Sequence, residues 1–372
     1  IQMTEKLTLR DNAAVRWAAL LLLALAMFCS YIFMDILSPI KDLMQSERGW
    51  DSLAFGTMQG SETFLNVFVF FLIFAGIILD KMGVRFTALL SGGVMLIGAV
   101  IKWYAVAEGF KGSGLEAWFT NNLNYIPGFD ELGISPFYQG MPASAKLAAV
   151  GFMIFGCGVE MAGITVSRGI VKWFKGKEMA LAMGLEMATA RIGTTLAMVL
   201  TVPIADYFGY TDESGSFHTN IPMPILLCLI MLCIGTIAFF IYTFYDKKLD
   251  ASLDAQGEEP EEPFRMKDVM LIVTNKGFWL IALLCVLFYS AVFPFIKYAT
   301  DLMVQKYNVD PKLAGNIPGK TGTVSQKIAM VIQDGDYKTA GFWSVVVLLV
   351  GFLAMTAMNL LGNRRKKNQK QW

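Results

Sequence analysis

Long apolar runs are the feature that most constrains this chain. Runs of about 20 or more apolar residues recur along it, and about 20 residues is the length at which an α-helix crosses a bilayer. Charged residues make up 16% of the 372 residues, and the mean hydropathy is +0.52, whereas soluble proteins carry about a quarter charged residues. The sequence therefore predicts an all-α, polytopic membrane protein with the lipid bilayer as its surroundings.

The distribution of basic residues predicts how the chain is oriented in the membrane. Lysines and arginines lie near both chain ends and in alternate loops, whereas the loop at residues 205–220 contains none. Because lysine and arginine accumulate on the cytoplasmic side, both termini are predicted to be cytoplasmic and this loop external. The predicted spans are eight: 17–40, 54–79, 86–107, 147–170, 179–204, 221–244, 278–302 and 341–362.

A polar segment after the sixth predicted span divides the chain. Residues 246–263 are acidic, contain proline and have few apolar residues, which is typical of a flexible linker. We therefore predict an N-terminal six-helix bundle at 1–245. A cytoplasmic linker with a surface helix follows at 246–276, and a partial C-terminal bundle of two spans at 277–372. A long external loop at 108–146 could form a small lid.

Composition and motifs argue against several functions. The net charge of +1 gives no electrostatic basis for binding nucleic acid. The single histidine, His218, lies in a polar loop, and the sequence has no HExxH, Walker or GxSxG motif. All five cysteines lie in apolar runs, where packing is the expected role. We therefore expect no enzyme activity, no cofactor and no metal site.

Isolated charges inside the predicted spans are the main functional signal. Glu160 lies in the fourth span and Arg191 in the fifth, each within an apolar run. They are nearly equally far along the chain from Lys175, the centre of the turn between these spans. At a rise of about 1.5 Å per residue, both lie about 20 Å from the turn, near the middle of the membrane.

Three interpretations of this charge pair stay open at the level of sequence. The two groups could form a direct buried ion pair. They could instead line a cavity that binds a zwitterion, in which the carboxylate meets an ammonium and the guanidinium meets a carboxylate. Glu160 could also carry a proton.

Other polar groups in the spans are secondary candidates, since ionisable residues inside a membrane commonly mark functional sites. Glu62 and Asn66 are four residues apart and are predicted to face one side of a cavity wall. Asp35 is predicted near the outer boundary, in an interfacial or pore-mouth position. Glu186 lies five residues before Arg191, so it is predicted to face elsewhere and to make a structural contact.

The loop after the second span carries a recognisable motif. It reads GIILDKMGVR at residues 76–85. Its Gly76, Asp80, Lys81, Gly83 and Arg85 resemble the signature loop of the major facilitator superfamily, G-x3-D-[RK]-x-G-x-[RK]. The resemblance implies the facilitator fold, with a gating role for Asp80, Lys81, Gly83 and Arg85.

A finer resemblance covers the segments GVEMAGITVS (158–167) and WFKGKEMALAMGLEMATARIG (173–193). They are similar to the lysosomal dipeptide transporter branch of the superfamily, including its bacterial members. This resemblance implies that Glu160 and Arg191 recognise peptides, with Glu62 and Asn66 as further candidates for substrate binding. It also implies alternating access and a location in the inner membrane of a bacterium.

One departure from the family pattern is large. The superfamily has twelve spans, whereas eight are predicted here, so four helices of the second half are expected to be absent. The leading prediction is a secondary transporter of dipeptides or similar small zwitterions. The alternatives are a proton-coupled exporter of organic anions, with Glu160 or Glu62 as proton carrier, and a truncated membrane protein that does not transport. The sequence leaves any partner protein unassigned.

Overall fold

A computed structural model describes residues 8–212, 215–255 and 273–290. The chain forms two compact units, Ile1–Asp268 and Val269–Trp372. The first contains α1 (Ala13–Asp35), α2 (Lys41–Arg48), α3 (Ser52–Phe68), α4 (Phe71–Val106), α5 (Gly114–Asn121), α6 (Ala143–Phe174), α7 (Met179–Tyr207) and α8 (Pro222–Asp254), with strands β1 (Tyr210–Thr211) and β2 (Phe217–His218). The second contains α9 (Lys276–Ser290).

Five stretches in the described part of the chain are helical, long and apolar enough to cross a membrane. They are Ala13–Arg48, Phe71–Val106, Ala143–Phe174, Met179–Tyr207 and Pro222–Asp254, while α9 is a shorter apolar helix. The predicted all-α, membrane-spanning architecture is therefore confirmed. The count of eight spans stays a prediction, because the span at 341–362 and the end of the one at 278–302 lie outside the described residues.

The second and third predicted spans are divided differently from the sequence prediction. Phe70, which has a left-handed φ of 55°, separates α3 from α4. The predicted span at 54–79 is therefore shared between α3 and the beginning of α4. Gly83 then interrupts α4 with non-helical dihedral angles, φ 79° and ψ 169°. Glycine adopts positive φ without a steric penalty, so the chain can turn here, and the rest of α4 forms the third span.

Local sequence signals explain where several helices begin. The side chain of Asn12 accepts hydrogen bonds from the backbone N–H groups of Ala14 and Val15 at the start of α1. Asp51 caps α3 in the same manner through the N–H of Ala54. These side chains satisfy N–H groups that have no partner within the helix, which fixes the first turn.

Helices in the first unit approach one another closely where glycines face a neighbour. A Cβ atom built on Gly98 of α4 would lie 2.4 Å from the backbone nitrogen of Phe155 and 2.5 Å from the carbonyl oxygen of Gly151, both on α6. α6 also packs against α3, and α1 packs against both α7 and α8. Small residues at such crossings allow the close van der Waals packing that holds helices together in lipid.

The predicted external loop has structure of its own. It contains α5 and is attached to the start of α6 by Lys146, a buried residue. The ammonium group of Lys146 donates hydrogen bonds to the carbonyl oxygens of Phe119 and Asn122 and to Oδ1 of Asn124, at 3.0, 3.1 and 2.7 Å. These three bonds use the three donors of the ammonium group, which compensates for its burial.

The end of α8 bears on the predicted domain boundary. The helix continues to Asp254, beyond residue 245, where the bundle was predicted to end. Because α8 carries Asp246 and Asp250 on this last part, both acidic residues belong to a helix of the first unit. The surface helix predicted within 246–276 falls largely outside the described residues, and the boundary at residue 276 stays a prediction.

Candidate functional site

Tyr31 of α1 connects the isolated charges that the sequence singled out. The guanidinium carbon of Arg191, on α7, lies 5.2 Å from the centre of the Tyr31 ring. The side chains of Arg191, Glu160, Glu186 and Glu62 are all within electrostatic range of the Tyr31 hydroxyl group. We call these five residues the Tyr31 cluster. The packing of α1, α3, α6 and α7 in the first unit therefore places a guanidinium and three carboxylates within electrostatic range of one tyrosine.

The packing of α3 on α6 positions Glu62. A Cβ atom built on Gly156 of α6 would lie only 1.9 Å from the backbone carbonyl oxygen of Glu62, so the two helices touch through their backbones at this point. Glu160 follows Gly156 by about one helical turn and therefore lies on the same face of α6. The side chain of Glu62 is buried, and that of Glu160 is half-buried.

Asn66 follows Glu62 by one turn of α3, as the sequence predicted. Neither the amide nitrogen nor the amide oxygen of its side chain has a hydrogen-bond partner among the described residues, and both atoms are buried. A buried amide without a partner costs free energy, commonly about 1–3 kcal/mol. A ligand that can both donate and accept hydrogen bonds would remove this cost, so Asn66 is suited to line a binding site.

Two other candidates differ in how closely they follow the sequence prediction. Glu186 is within electrostatic range of Arg191 on the same helix, and the prediction that it faces elsewhere and makes a structural contact stays a prediction. Asp35 ends α1, one turn after Tyr31, and is buried with 4% of its surface exposed.

The signature loop lies in a second cluster of charges, which we call the cytoplasmic cluster after its predicted location. Asp80 forms an ion pair with Arg168 of α6. Gly83 provides the turn, and Lys81 is exposed. Arg85 lies 3.9 Å from a carboxylate oxygen of Asp246. Lys172 and Asp250, which pair with these residues, complete the cluster. The motif therefore connects α4 with both α6 and α8.

Asp246 is the buried centre of the cytoplasmic cluster, with 1% of its surface exposed. Its carboxylate lies 2.8 Å from the ammonium of Lys172 on α6 and accepts a hydrogen bond of 3.3 Å from the hydroxyl of Tyr242. Asp250, one turn further along α8, lies 2.6 Å from Lys172 and 3.3 Å from Arg85. Two carboxylates and two cations thus hold α4, just after the turn at Gly83, to the last turns of α6 and α8.

The segment before α1 attaches to the same region. Asp11 lies 2.7 Å from Lys177, in the turn between α6 and α7. Hydrogen bonds from Lys177 and Thr8 lower the pKa of Asp11 to about 2. Arg16 lies 3.0 Å from Glu178 of the same turn. The start of α1 is therefore held to the α6–α7 turn by two ion pairs.

Sequence reasoning missed several members of both clusters. Tyr31 carries no charge, so a search for isolated charges passed over it, although a tyrosine inside an apolar span is itself a signal. Arg168 and Lys172 were visible as basic residues near the end of the fourth span. The residues that pair with them, Asp80 and Asp246, are distant in the sequence, and only the fold shows which charges meet.

Comparison with known proteins identifies a matching family and several similar proteins. The family model of the Major Facilitator Superfamily matches residues 23–365. The lysosomal dipeptide transporter MFSD1 of Gallus gallus is 29% identical over 189 residues, which cover 50% of this chain and 41% of that protein. The Homo sapiens protein of the same name is 27% identical over 185 residues, covering 50% and 39%. The Danio rerio protein is 28% identical over 167 residues, covering 44% and 35%. The matched regions span less than half the length of each relative.

Proposed function

Because this chain belongs to the major facilitator superfamily, we propose that it is a secondary transporter that moves dipeptides or similar small zwitterions by alternating access. It is an integral, multi-pass membrane protein, as the family and the apolar helices require. The observation that carries the proposal is the Tyr31 cluster, in which the Arg191 guanidinium carbon lies 5.2 Å from the centre of the Tyr31 ring and Glu160 lies on the face of α6 that meets α3. The names of the relatives, dipeptide transporters, support the choice of substrate class.

In this proposal, the substrate joins two charges of opposite sign. Arg191 binds the carboxylate of the peptide, since the planar guanidinium can donate two parallel hydrogen bonds to it. Glu160 binds the terminal ammonium. Asn66 contributes the amide whose polar atoms lack partners among the described residues and which suits the peptide bond, while Glu62 contributes to the wall beside it. Glu160, Arg191, Glu62 and Asn66 are thus the proposed substrate-binding residues.

The cytoplasmic cluster is the proposed gate. Rocking of two bundles about a site near the membrane midplane moves substrate in this type of transporter, without ATP or a metal. Of the signature residues, Asp80 and Arg85 join α4 to α6 and α8 through ion pairs and Gly83 provides the turn, while Lys81 is exposed beside them. Breaking and forming these contacts would accompany the change between states. We also propose that both termini are cytoplasmic and that the protein resides in a bacterial inner membrane.

The test uses the full-length protein and three ligands: a dipeptide, its C-terminal amide and its N-acetyl form. Arg191→Ala should lose discrimination between the dipeptide and the amide, because the partner of the carboxylate is gone. Glu160→Gln should lose discrimination between the dipeptide and the N-acetyl form. A charge-assisted contact contributes about 1.5–3 kcal/mol, so each variant should bind the dipeptide about tenfold more weakly or worse. Equilibrium binding in detergent measures all affinities.

Matched controls remove charges of the same kind elsewhere in the first unit. Arg48→Ala and Glu178→Gln remove a guanidinium and a carboxylate that pair with Glu108 and Arg16, and both should leave the ligand preferences unchanged. Well-folded variants of Arg191 and Glu160 that bind all three ligands as the unmodified protein does would contradict the proposal. A result in which only Arg191 matters would indicate an organic anion. Rescue by the exchange Glu160→Arg with Arg191→Glu would indicate a structural ion pair.

A further inference from the structure

Tyr31 is the one member of the Tyr31 cluster without a charge. It contacts Arg191, the proposed partner of the substrate carboxylate. The Arg191 guanidinium carbon is 5.2 Å from the centre of its ring. A guanidinium within about 6 Å of an aromatic face is attracted by the negative charge of that face. Both side chains are half-buried. Because water screens this attraction less in a partly buried position, the contact can restrain the orientation of the guanidinium.

The backbones of the two helices are fixed where this contact forms. A Cβ atom built on Gly193 of α7 would lie 2.6 Å from the carbonyl oxygen of Phe28 and 3.3 Å from the backbone nitrogen of Ile32, both on α1. Gly193 is two residues from Arg191, and Ile32 adjoins Tyr31. The crossing of α1 and α7 therefore holds the ring and the guanidinium within reach of each other, independently of any substrate.

Several charged side chains lie near the pair of Tyr31 and Arg191. The carboxylates of Glu160, Glu186 and Glu62 are within electrostatic range of the Tyr31 hydroxyl, and Glu186 is also within that range of Arg191. A flexible guanidinium among several carboxylates can turn its hydrogen-bond donors toward any of them. A contact through the face of the guanidinium plane uses none of its N–H groups, because these donate hydrogen bonds from the edge of the plane.

We propose that Tyr31 is a positioning residue for Arg191, whose ring holds the guanidinium in the orientation that receives the substrate carboxylate. This inference rests on the proposed function of the Tyr31 cluster and extends it to specificity. The ring performs this role and the hydroxyl does not, so removal of the ring and removal of the hydroxyl should have different effects. Tyr31 should affect recognition of the carboxyl end of a peptide and leave recognition of its amino end intact.

The test compares Tyr31→Phe, which keeps the ring, with Tyr31→Leu, which removes it. The measured quantity is the ratio of the Kd for a dipeptide C-terminal amide to the Kd for the dipeptide, in the full-length protein. Tyr31→Phe should keep this ratio within about twofold, whereas Tyr31→Leu should lower it about three- to thirtyfold. The corresponding ratio for the N-acetyl form should not change in either variant. If Tyr31→Leu does not fold, Tyr31→Met, with a side chain of similar length, replaces it.

Several outcomes would overturn the proposal. In one, the ratio of the Kd for the amide to the Kd for the dipeptide is unchanged in Tyr31→Leu or Tyr31→Met but falls in Arg191→Ala. The proposed function would then stand without a role for Tyr31. Equal losses in Tyr31→Phe and Tyr31→Leu would assign the effect to the hydroxyl. Equal losses in the amide and N-acetyl ratios would assign Tyr31 to general packing.

A readout without substrate separates this proposal from the proposed function. Phenylglyoxal modifies arginine side chains, and mass spectrometry measures how fast the peptide containing Arg191 reacts. Reaction should be several-fold faster in Tyr31→Leu than in Tyr31→Phe, because the ring no longer covers one face of the guanidinium. Equal rates would overturn the positioning role, even if the ligand experiments support a zwitterion site. Unequal rates with no ligand discrimination would support the contact and reject the proposed function.

Discussion

The two charged clusters of the first unit use the same residue types in different ways. In the cytoplasmic cluster, Asp246 and Asp250 share the cations of Lys172 and Arg85 at distances of 2.6–3.9 Å. In the Tyr31 cluster, a guanidinium lies over an aromatic ring, and three carboxylates are within electrostatic range of the hydroxyl group on that ring. The first arrangement pairs opposite charges at short distances. The second is the site proposed to bind a ligand that carries both signs of charge.

The two arrangements of charge suit different functions. Ion pairs at the ends of helices can hold one conformation and release it when the ends separate, which suits a gate. In a binding site within the membrane, the charges of the substrate must pair with those of the protein, because an unpaired charge there is costly. We therefore expect changes in the cytoplasmic cluster to affect stability and the rate of switching, and changes in the Tyr31 cluster to affect the choice of ligand.

The largest expected effect would come from removing the buried charge of the cytoplasmic cluster. Asp246→Asn takes away a carboxylate that is 1% exposed and lies 2.8 Å from Lys172. Loss of one partner of a buried pair costs about 3–5 kcal/mol. Because Asp250 remains beside Lys172 and Arg85, we expect the lower value, about 3 kcal/mol. Unfolding by SDS in mixed micelles measures this free energy.

Asp254→Asn is the matched control, since Asp254 ends the same helix and is exposed. It should change the free energy of unfolding by less than about 0.5 kcal/mol. Equal effects of the two substitutions would contradict the view that mutual neutralisation holds this cluster together. Dipeptide binding by the folded Asp246→Asn protein should keep its preference between the amide and N-acetyl forms, since the Tyr31 cluster is unchanged.

The sequence predicted the ends of the cytoplasmic cluster better than its centre. The resemblance to the signature loop of the superfamily singled out Asp80, Gly83 and Arg85, and Gly83 does turn the chain. It could not identify Asp246 as the partner of Lys172, because the two are far apart in sequence and both lie in charged stretches that resemble solvated surface. Residue 246 was predicted to begin a flexible linker, whereas α8 continues to Asp254. Acidic residues in the last turns of a helix resemble the composition of a linker.

For the Tyr31 cluster, hairpin geometry predicts that Glu160 and Arg191 share a depth in the membrane, and this stays a prediction. Tyr31 could not be predicted in this way, because α1 contacts α7 only through a long-range helix packing that the sequence does not show. The backbone contact of Gly156 with Glu62 was equally hidden. Nothing in a single sequence distinguishes a glycine that permits close packing from Gly163 on the same helix, which has open space around it.

An intermediate effect is expected from separating α3 and α6 within the membrane. In Gly156→Ala, the new Cβ atom would lie 1.9 Å from the carbonyl oxygen of Glu62, so α3 must move. Overpacking of this kind costs about 1–3 kcal/mol. Because α3 also carries Asn66, dipeptide affinity should fall together with stability. SDS unfolding and equilibrium binding measure the two changes.

The control is Gly163→Ala, where a Cβ atom would meet nothing within 4 Å. Alanine is a better helix former than glycine by about 1 kcal/mol, so this variant should be as stable as the unmodified protein or slightly more stable. It should bind the dipeptide normally. A Gly156→Ala protein that kept full affinity would show that Glu62 and Asn66 do not belong to the ligand site. The helix α3 would then have no part in ligand binding.

The smallest expected effect separates switching from binding at the edge of the cytoplasmic cluster. The ion pair of Asp80 with Arg168 is partly exposed, with 22% and 32% of the two side chains accessible, so it contributes at most about 1 kcal/mol. Asp80→Asn should therefore slow dipeptide uptake into liposomes about fivefold, while the Kd for the dipeptide stays within about twofold. Arg168→Gln should have the same effect, and the double variant should be no slower than either single variant, because both remove one shared interaction. Asp254→Asn should transport at the normal rate. A variant of Asp80 that lost affinity but kept its turnover would place this residue with the binding site and would end the division of roles between the two clusters.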